Sequence, residues 1–519
     1  MLINILAAKC IGIEAVPVTV EVDITPGIGI HLVGMADVAV KESLLRTITA
    51  LQSLGFHIPG KKIVINLAPA DMHKNGGGYD LPIALGIIAA SGQREMPGLG
   101  KYLIMGELGL DSSVREVQGS LPFADLASSM GISGCILPVR SAMEATECKG
   151  LDIFGVETLT DVLRILEGKE DCSDLLVWNT RLYGELSHGP SGSAFRGRDA
   201  VDFSDIIGQE GAKRGVEIAV SGAHNLIMVG PPGSGKSSLA KAMAGILPPM
   251  TTEESIITSK IYSVCGMKGS GTGLIRDRPF RSPHYSASLA AFIGGGAGQD
   301  IHPGEVTLAH NGILFIDEYG QMPKSVLEAL RGPMEDRKVT ISRLRSKLEY
   351  PASFMLVAAS NPCPCGYYGE GDRCTCTPGQ RAAYLSRLSG PLMDRIDLQI
   401  WLHKVDTRKL VGRNKGEPSS RVAGRVMKVR MVQKERFTGE GIFTNAEMNN
   451  RMLEKYCPLD GACKEMMERL IGRLGLSARA YSRILKVART IADMDGSESI
   501  RPDYLAEAAQ YRFLDRQLD

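Results

Sequence analysis

The chain has 519 residues, of which 44% are hydrophobic and 23% charged, and a formal net charge of +1. That length exceeds one core and calls for about two to four domains, while the near-zero charge excludes a uniformly basic nucleic-acid coat, leaving local patches for any such contact. No apolar run is long enough for a membrane span and no positive charge precedes the apolar Met1–Ala8, so neither a spanning segment nor a signal peptide is expected and the cytoplasm follows.

Residues 1–165 carry no phosphate-binding motif. Met1–Ala8 reads as a first strand, and Val18–Val22 and Ile63–Leu67 as alternating strands. Asp80–Ala90 is an apolar helix entered through Gly76–Gly78, with Ile104–Leu110 beyond it. This order is similar to the proteolytic domain of Lon proteases, a fold shared with the ribosomal-protein S5 type. The resemblance implies a serine–lysine pair for acyl transfer. Here the serine's place falls near Tyr79-Asp80 and the lysine's near Leu121-Pro122. With neither nucleophile nor base, no peptidase activity is expected. Residues 166–200 form a linker, and Gly184–Gly197 within it is rich in Gly and Ser without periodicity.

A second module is expected over 201–405, opening near Asp202–Gln209. Asn225–Val229 is a short apolar run of buried-strand type, and Lys236–Leu247 reads as a helix. Between them stand Gly230, Pro231, Pro232, Gly233, Ser234, Gly235, Lys236, Ser237 and Ser238, the G-x-x-x-x-G-K-[ST] pattern. Such a turn aims backbone N–H groups and a helix N-terminus at the phosphates of ATP. Lys236 is expected to reach the β/γ-phosphates and Ser237 to bind Mg²⁺. Gly312–Glu318 is a strand ending in two acids. Asp317 would hold Mg²⁺ through water and Glu318 would polarise the attacking water.

Arg337–Glu349 reads as a basic hairpin carrying Arg343, Arg345 and Lys347. Phe354–Ala359 is a third buried strand, with Asn361 near its tip to contact the γ-phosphate or the water. Cys363, Cys365, Cys374 and Cys376 follow as two C-x-C pairs. Four soft ligands suit tetrahedral Zn²⁺ in a closed structural shell; the alternative is a reduced cysteine-rich loop, since zinc pairs are usually spaced C-x₂₋₄-C. Arg395, flanked by Asp394 and Asp397, is the candidate to complete a neighbouring subunit's site, or else it pairs within the chain with either acid. Lys404–Arg436 holds eleven Lys/Arg against three acids, a nucleic-acid patch or a solvated helix face with its linker. In the helical lid expected over 406–519, Leu476–Arg483 opens a basic helix with Arg479 as a second phosphate sensor and Arg483 as the fallback.

Phosphate loop, Asp-Glu strand, asparagine tip and two arginines in this order resemble an AAA+ ATPase. Arg278–Ser288, Pro303–His310 and Asn361–Gly366 resemble its magnesium-chelatase branch. With the N-terminal domain, the whole chain resembles the YifB/ComM group of magnesium-chelatase-like proteins. That resemblance implies an α/β fold: a Lon-like α+β N-terminal domain, an AAA+ P-loop α/β domain and a helical lid. It also implies a hexameric ring with ATP between subunits, and for the ComM members ATP-driven branch migration of DNA during natural transformation. In resembling ring helicases a hairpin at the position of Arg343, Arg345 and Lys347 lines the pore, where basic residues grip phosphates. The alternative is an ordinary charged hairpin. The N-terminal domain would guide DNA or a partner into the ring, or serve as a scaffold. Rival functions are a chelatase motor subunit, which would lack the Lon-like domain, and a protein-remodelling chaperone, which would favour an aromatic pore loop.

Overall fold

The computed structural model describes residues 2–35, 37–187, 201–267, 273–296, 301–343, 346–370, 373–388, 392–404 and 416–516. Arg345, residues 188–200 of the expected linker and the basic stretch 405–415 lie outside them.

In the N-terminal part, Ile3–Ile11 and Glu14–Thr25 pair antiparallel, and Glu14–Thr25 pairs antiparallel with Lys62–Ala68. Ile30–Val33 adds parallel to Lys62–Ala68 and completes a four-stranded sheet. Alternate residues Val18, Val20, Val22, Ile63, Ile65 and Leu67 are buried, as the two-residue period of a strand dictates. The helix Asp80–Ala90 lies on that face, its Gly86 directly against Val22 and Ile5. Every residue from Asp80 to Ile88 is buried. A helix apolar all round is enclosed on all sides. Tyr102–Ile104, Gly134–Pro138 and Asp152–Val156 form a second, parallel sheet. One apolar cluster spans both sheets.

The second module is built on a five-stranded, all-parallel sheet. Its order is Phe280–Arg281, Ile313–Ile316, Met355–Ser360, Leu226–Val229 and Leu398–Trp401. Leu226, Met228, Phe315 and Val357 belong to one apolar cluster, while Ile227, Val229, Leu314 and Leu356 belong to another on the opposite face. Burial on both faces is why these segments are continuous apolar runs. Met355–Ser360 lies between the strand leading to the phosphate loop and the strand leading to Asp317. Asn361 therefore emerges between those two groups at the carboxyl edge, where ligands bind in open α/β sheets.

The helix expected over Lys236–Leu247 ends at Met243. Tight turns at Ala244 and Gly245 follow, and Pro248 disfavours helical backbone at Leu247. The C-terminal helices Ser419–Arg436, Gly461–Leu474, Ala478–Met494 and Pro502–Gln510 share the apolar cluster on one face of the sheet. Among the described residues no helix is long and apolar enough to cross a membrane. The two parts meet along the helix Thr252–Val264, where Lys260 Nζ lies 2.8 Å from both Glu14 Oε2 and Asp125 Oδ2. There Gly119 N also donates to Ser263 O at 3.0 Å.

Candidate nucleotide site and cysteine cluster

The phosphate loop begins where Gly230 N donates to Ser360 O at 3.2 Å, tying it to the neighbouring strand. It ends at Gly235, whose φ of 92° is the left-handed conformation that glycine adopts without strain. Helix Lys236–Met243 starts immediately, and its first N–H groups have no partner within the helix. Lys236 Nζ donates to Gly230 O at 2.7 Å, Pro231 O at 3.0 Å and Asn361 Oδ1 at 3.2 Å. Burial pulls the pKa of Lys236 down, and Asp317 and Glu318 oppose that shift by favouring its charged form.

Eighty residues apart in sequence, Ser237 and Asp317 are brought together: the Ser237 hydroxyl donates to Asp317 Oδ2 at 2.9 Å. The other carboxylate oxygen, Oδ1, accepts from Glu318 N at 2.9 Å. Glu318 has φ 51°, an uncommon conformation for a residue with a side chain, of the sort concentrated at functional sites. A hydroxyl and a carboxylate this close are the hard oxygen donors Mg²⁺ takes. Lys236, Ser237, Asp317 and Asn361 thus converge at one sheet edge, while Ser238 is exposed.

The arginines have partners within the chain. Arg395 pairs with Glu335. Arg479 Nη1 lies 3.0 Å from Asp394 Oδ2, both exposed. Arg483, one turn along the same helix, pairs with the buried Asp397. Asp397 Oδ2 also accepts from Asn225 N at 3.1 Å and lies 3.5 Å from His224 Nδ1. Burial resists ionisation of Asp397, but the Arg483 guanidinium and His224 hold it well below the usual carboxylate range.

Lys338–Arg343 and Ser346–Pro351 form an antiparallel hairpin with Arg343 opposite Ser346. Val339, Ile341 and Tyr350 are buried, which leaves Lys338, Lys347 and Glu349 on the outer face. Glu349 Oε2 lies 3.0 Å from Lys338 Nζ, and its Oε1 3.9 Å from Lys347 Nζ.

The four cysteines are reduced, and their sulfurs all lie within 4.8 Å of one another. Cys363 Sγ is 3.3 Å from Cys365 Sγ and 3.8 Å from Cys374 Sγ, and Cys365 Sγ is 3.7 Å from Cys374 Sγ. Zn–S bonds of about 2.3 Å in a tetrahedron place sulfurs about 3.8 Å apart, so the set fits that ion. Backbone N–H groups, that of Tyr367 foremost, pull the Cys365 thiol down to about 6, toward the thiolate a metal needs. Burial pushes Cys363 up to about 12.

In the N-terminal part, the place of the Lon serine holds buried side chains. Tyr79 donates its hydroxyl to Ala8 O at 3.2 Å. Asp80 Oδ2 accepts from Arg46 Nη2 at 3.0 Å and Leu108 N at 3.2 Å. Burial raises Asp80 from 3.8 to about 6 against the pull of Ser43 and Arg46. Sequence reasoning missed Gln209, whose amide reaches Ser234 O at 3.1 Å and His403 O at 2.5 Å and so braces the phosphate loop. It also missed Tyr384, whose hydroxyl is 3.1 Å from Ser360 Oγ. Neither carries a motif; only its packing marks it.

Comparison with known proteins covers nearly the whole chain. The family model described as magnesium chelatase, subunit ChlI, matches residues 202–410. Models for subunit ChlI of Mg-chelatase and for the ChlI C-terminal region match residues 20–141 and 416–512. The chain is 41% identical over 509 residues to the competence protein ComM of Haemophilus influenzae, covering 98% of this chain and 96% of that one. It is 40% identical over 513 residues to YifB of Escherichia coli, with coverage of 98% and 96%. A more distant stretch of 287 residues, 54% of this chain and 28% of the relative, is 25% identical to the DNA replication licensing factor mcm6 of Schizosaccharomyces pombe.

Proposed function

The chain belongs to the YifB/ComM family of magnesium-chelatase-like AAA+ proteins, and on that footing we propose that it is a ring-forming, hexameric ATPase that moves or remodels DNA. In this reading it works in the cytoplasm as a branch-migration helicase in recombination or natural transformation. The observation that carries it is the convergence of Lys236, Ser237, Asp317 and Asn361 at the carboxyl edge of the parallel sheet.

Residues 230–238 cradle the phosphates of ATP, with Lys236 on the β/γ-phosphates. Ser237 and Asp317 hold Mg²⁺, which when bound neutralises charge on the phosphate oxygens. Glu318 orients and polarises the attacking water, and Asn361 contacts the γ-phosphate or that water. Arg395 exchanges Glu335 for the site of a neighbouring subunit, and Arg479 exchanges Asp394 for phosphate. We assign the motor to 201–405 and the lid to 406–519, behind an N-terminal domain over 1–165 and a linker over 166–200. The four cysteines are read as ligands of one structural Zn²⁺. The DNA reading is supported by the names of two relatives, a competence protein and a replication licensing factor, and by the basic hairpin.

The test is ATP hydrolysis with and without single-stranded and branched DNA, with Lys236→Ala as the blank. Stimulation by DNA that is absent from the blank is expected. Robust turnover indifferent to every DNA form would favour the chelatase-type or protein-remodelling alternatives. Replacing Arg343, Arg345 and Lys347 together by Ala should lower the salt slope of duplex-DNA binding by about 0.9 for each phosphate that the variant no longer neutralises.

A further inference from the structure

The cysteine cluster is not a remote structural knot. Cys363 follows Asn361 by two residues, so the centre begins where the strand Met355–Ser360 delivers that side chain toward Lys236. The turn Cys363–Gly366, which carries the first two cysteines, rests on the phosphate loop itself. At Gly366, closed by its N–H to Cys363 O at 3.0 Å, an added Cβ would lie 2.9 Å from Pro232 Cδ and Cγ. Past Cys376, Thr377 and Gln380 exchange hydrogen bonds of 3.0 and 3.3 Å and start the helix Pro378–Leu388. That helix brings the Tyr384 hydroxyl to Ser360 Oγ and against Gly320, two residues beyond Glu318. One centre therefore touches or reaches all three strand ends that carry the proposed ATP site. A crosslink at the base of a loop lowers the entropy of the chain it closes.

We propose that the four-cysteine centre is a metal strut for the ATP site: Zn²⁺ held by Cys363, Cys365, Cys374 and Cys376 positions Pro232, Asn361 and, through Tyr384, the Glu318 turn. This rests on the zinc reading and the ATP-site reading above. The cysteines are positioning residues, and the strut is read out in nucleotide affinity before any turnover.

Metal analysis of the full chain is expected to find about one zinc per chain, lost in Cys363→Ser/Cys374→Ser. No metal, or iron in its place, overturns the zinc reading and the strut with it. Zinc is then withdrawn from the full chain with a thiol-directed mercurial and chelator, the fold is checked by circular dichroism, and binding of a fluorescent ATP analogue is titrated. The dissociation constant should rise about tenfold, as small displacements of positioning groups produce, and recover when the thiols and Zn²⁺ are restored. Zinc that comes and goes with unchanged analogue affinity overturns the strut and leaves the zinc reading standing. An untreated chain that binds no analogue overturns the ATP-site reading and the strut with it. Should the stripped chain unfold, Gly366→Ala decides, because it keeps every cysteine and presses a Cβ onto Pro232. Full zinc with weakened analogue binding is expected; full zinc with unchanged binding overturns the proposal.

Discussion

Two glycine-rich turns in this chain enter a helix, and the two glycines nearest the helix are covered in one and open in the other. Before Asp80–Ala90, a Cβ added at Gly77 would lie 2.6 Å from Glu107 Oε2 and 2.9 Å from Arg46 Nη2, and one at Gly78 would lie 2.9 Å from Met105 Cε. Before Lys236–Met243, a Cβ at Gly233 or Gly235 would meet nothing within 4 Å. Gly77 and Gly78 are packed by the protein's own side chains, with Gly76 open before them; Gly233 and Gly235 are open, with Gly230 before them against Leu402 O. The leading residues differ in sign as well. Asp80 suits the positive end of a helix, whereas Lys236 does not and leans on the nearby Asp317 and Glu318.

Breaking the open turn should have the largest effect. Lys236→Ala is expected to cut ATP hydrolysis on the order of 10²–10³-fold, measured as phosphate release. Glu318→Gln should cost about 10²-fold in turnover while analogue binding persists; binding lost together with turnover would remove Glu318 from the role of water-polarising base.

Breaking the filled turn should leave hydrolysis intact and move stability instead. Asp80, raised from 3.8 to about 6, gives stability that is fully present below about pH 4 and lost as pH rises through about 6. In thermal unfolding, the difference between wild type and Asp80→Asn should therefore change by on the order of 2–3 kcal/mol between pH 4 and 7, and be flat above. A difference independent of pH would show that Asp80 ionises normally. The smallest effect is expected where the two regions meet. Lys260→Ala removes the ion pairs to Glu14 and Asp125, both more than half exposed, and should cost about 0.5–1 kcal/mol in a denaturant titration.

The strands foreseen at Asn225–Val229, Gly312–Glu318 and Phe354–Ala359 appear as Leu226–Val229, Ile313–Ile316 and Met355–Ser360. They were legible because a strand buried on both faces needs an unbroken apolar run, and that is a local property of sequence. What sequence alone withheld depends on which surfaces meet. The placement of the Asn361 strand between the other two is a matter of sheet order, and Arg395 meets Glu335 across 60 residues. Gln209 and Tyr384 belong to no pattern. Arg479 and Arg483 share a helix face, and only burial separates them: the partner of Arg483 is 3% exposed and that of Arg479 46%.

That separation makes the helix Ala478–Met494 a lever with a fixed fulcrum. Arg483 is pinned to Asp397, the same carboxylate that receives Asn225 N at the foot of the phosphate-loop strand. Arg479 projects about 6 Å away along the axis, four residues at 1.5 Å each. Its guanidinium can trade Asp394 for another anion by turning its own side-chain torsions, with the helix left in place. In the sensor role proposed for Arg479, an arm mounted this way would report on its ligand and on the seat of that ligand through one rigid part.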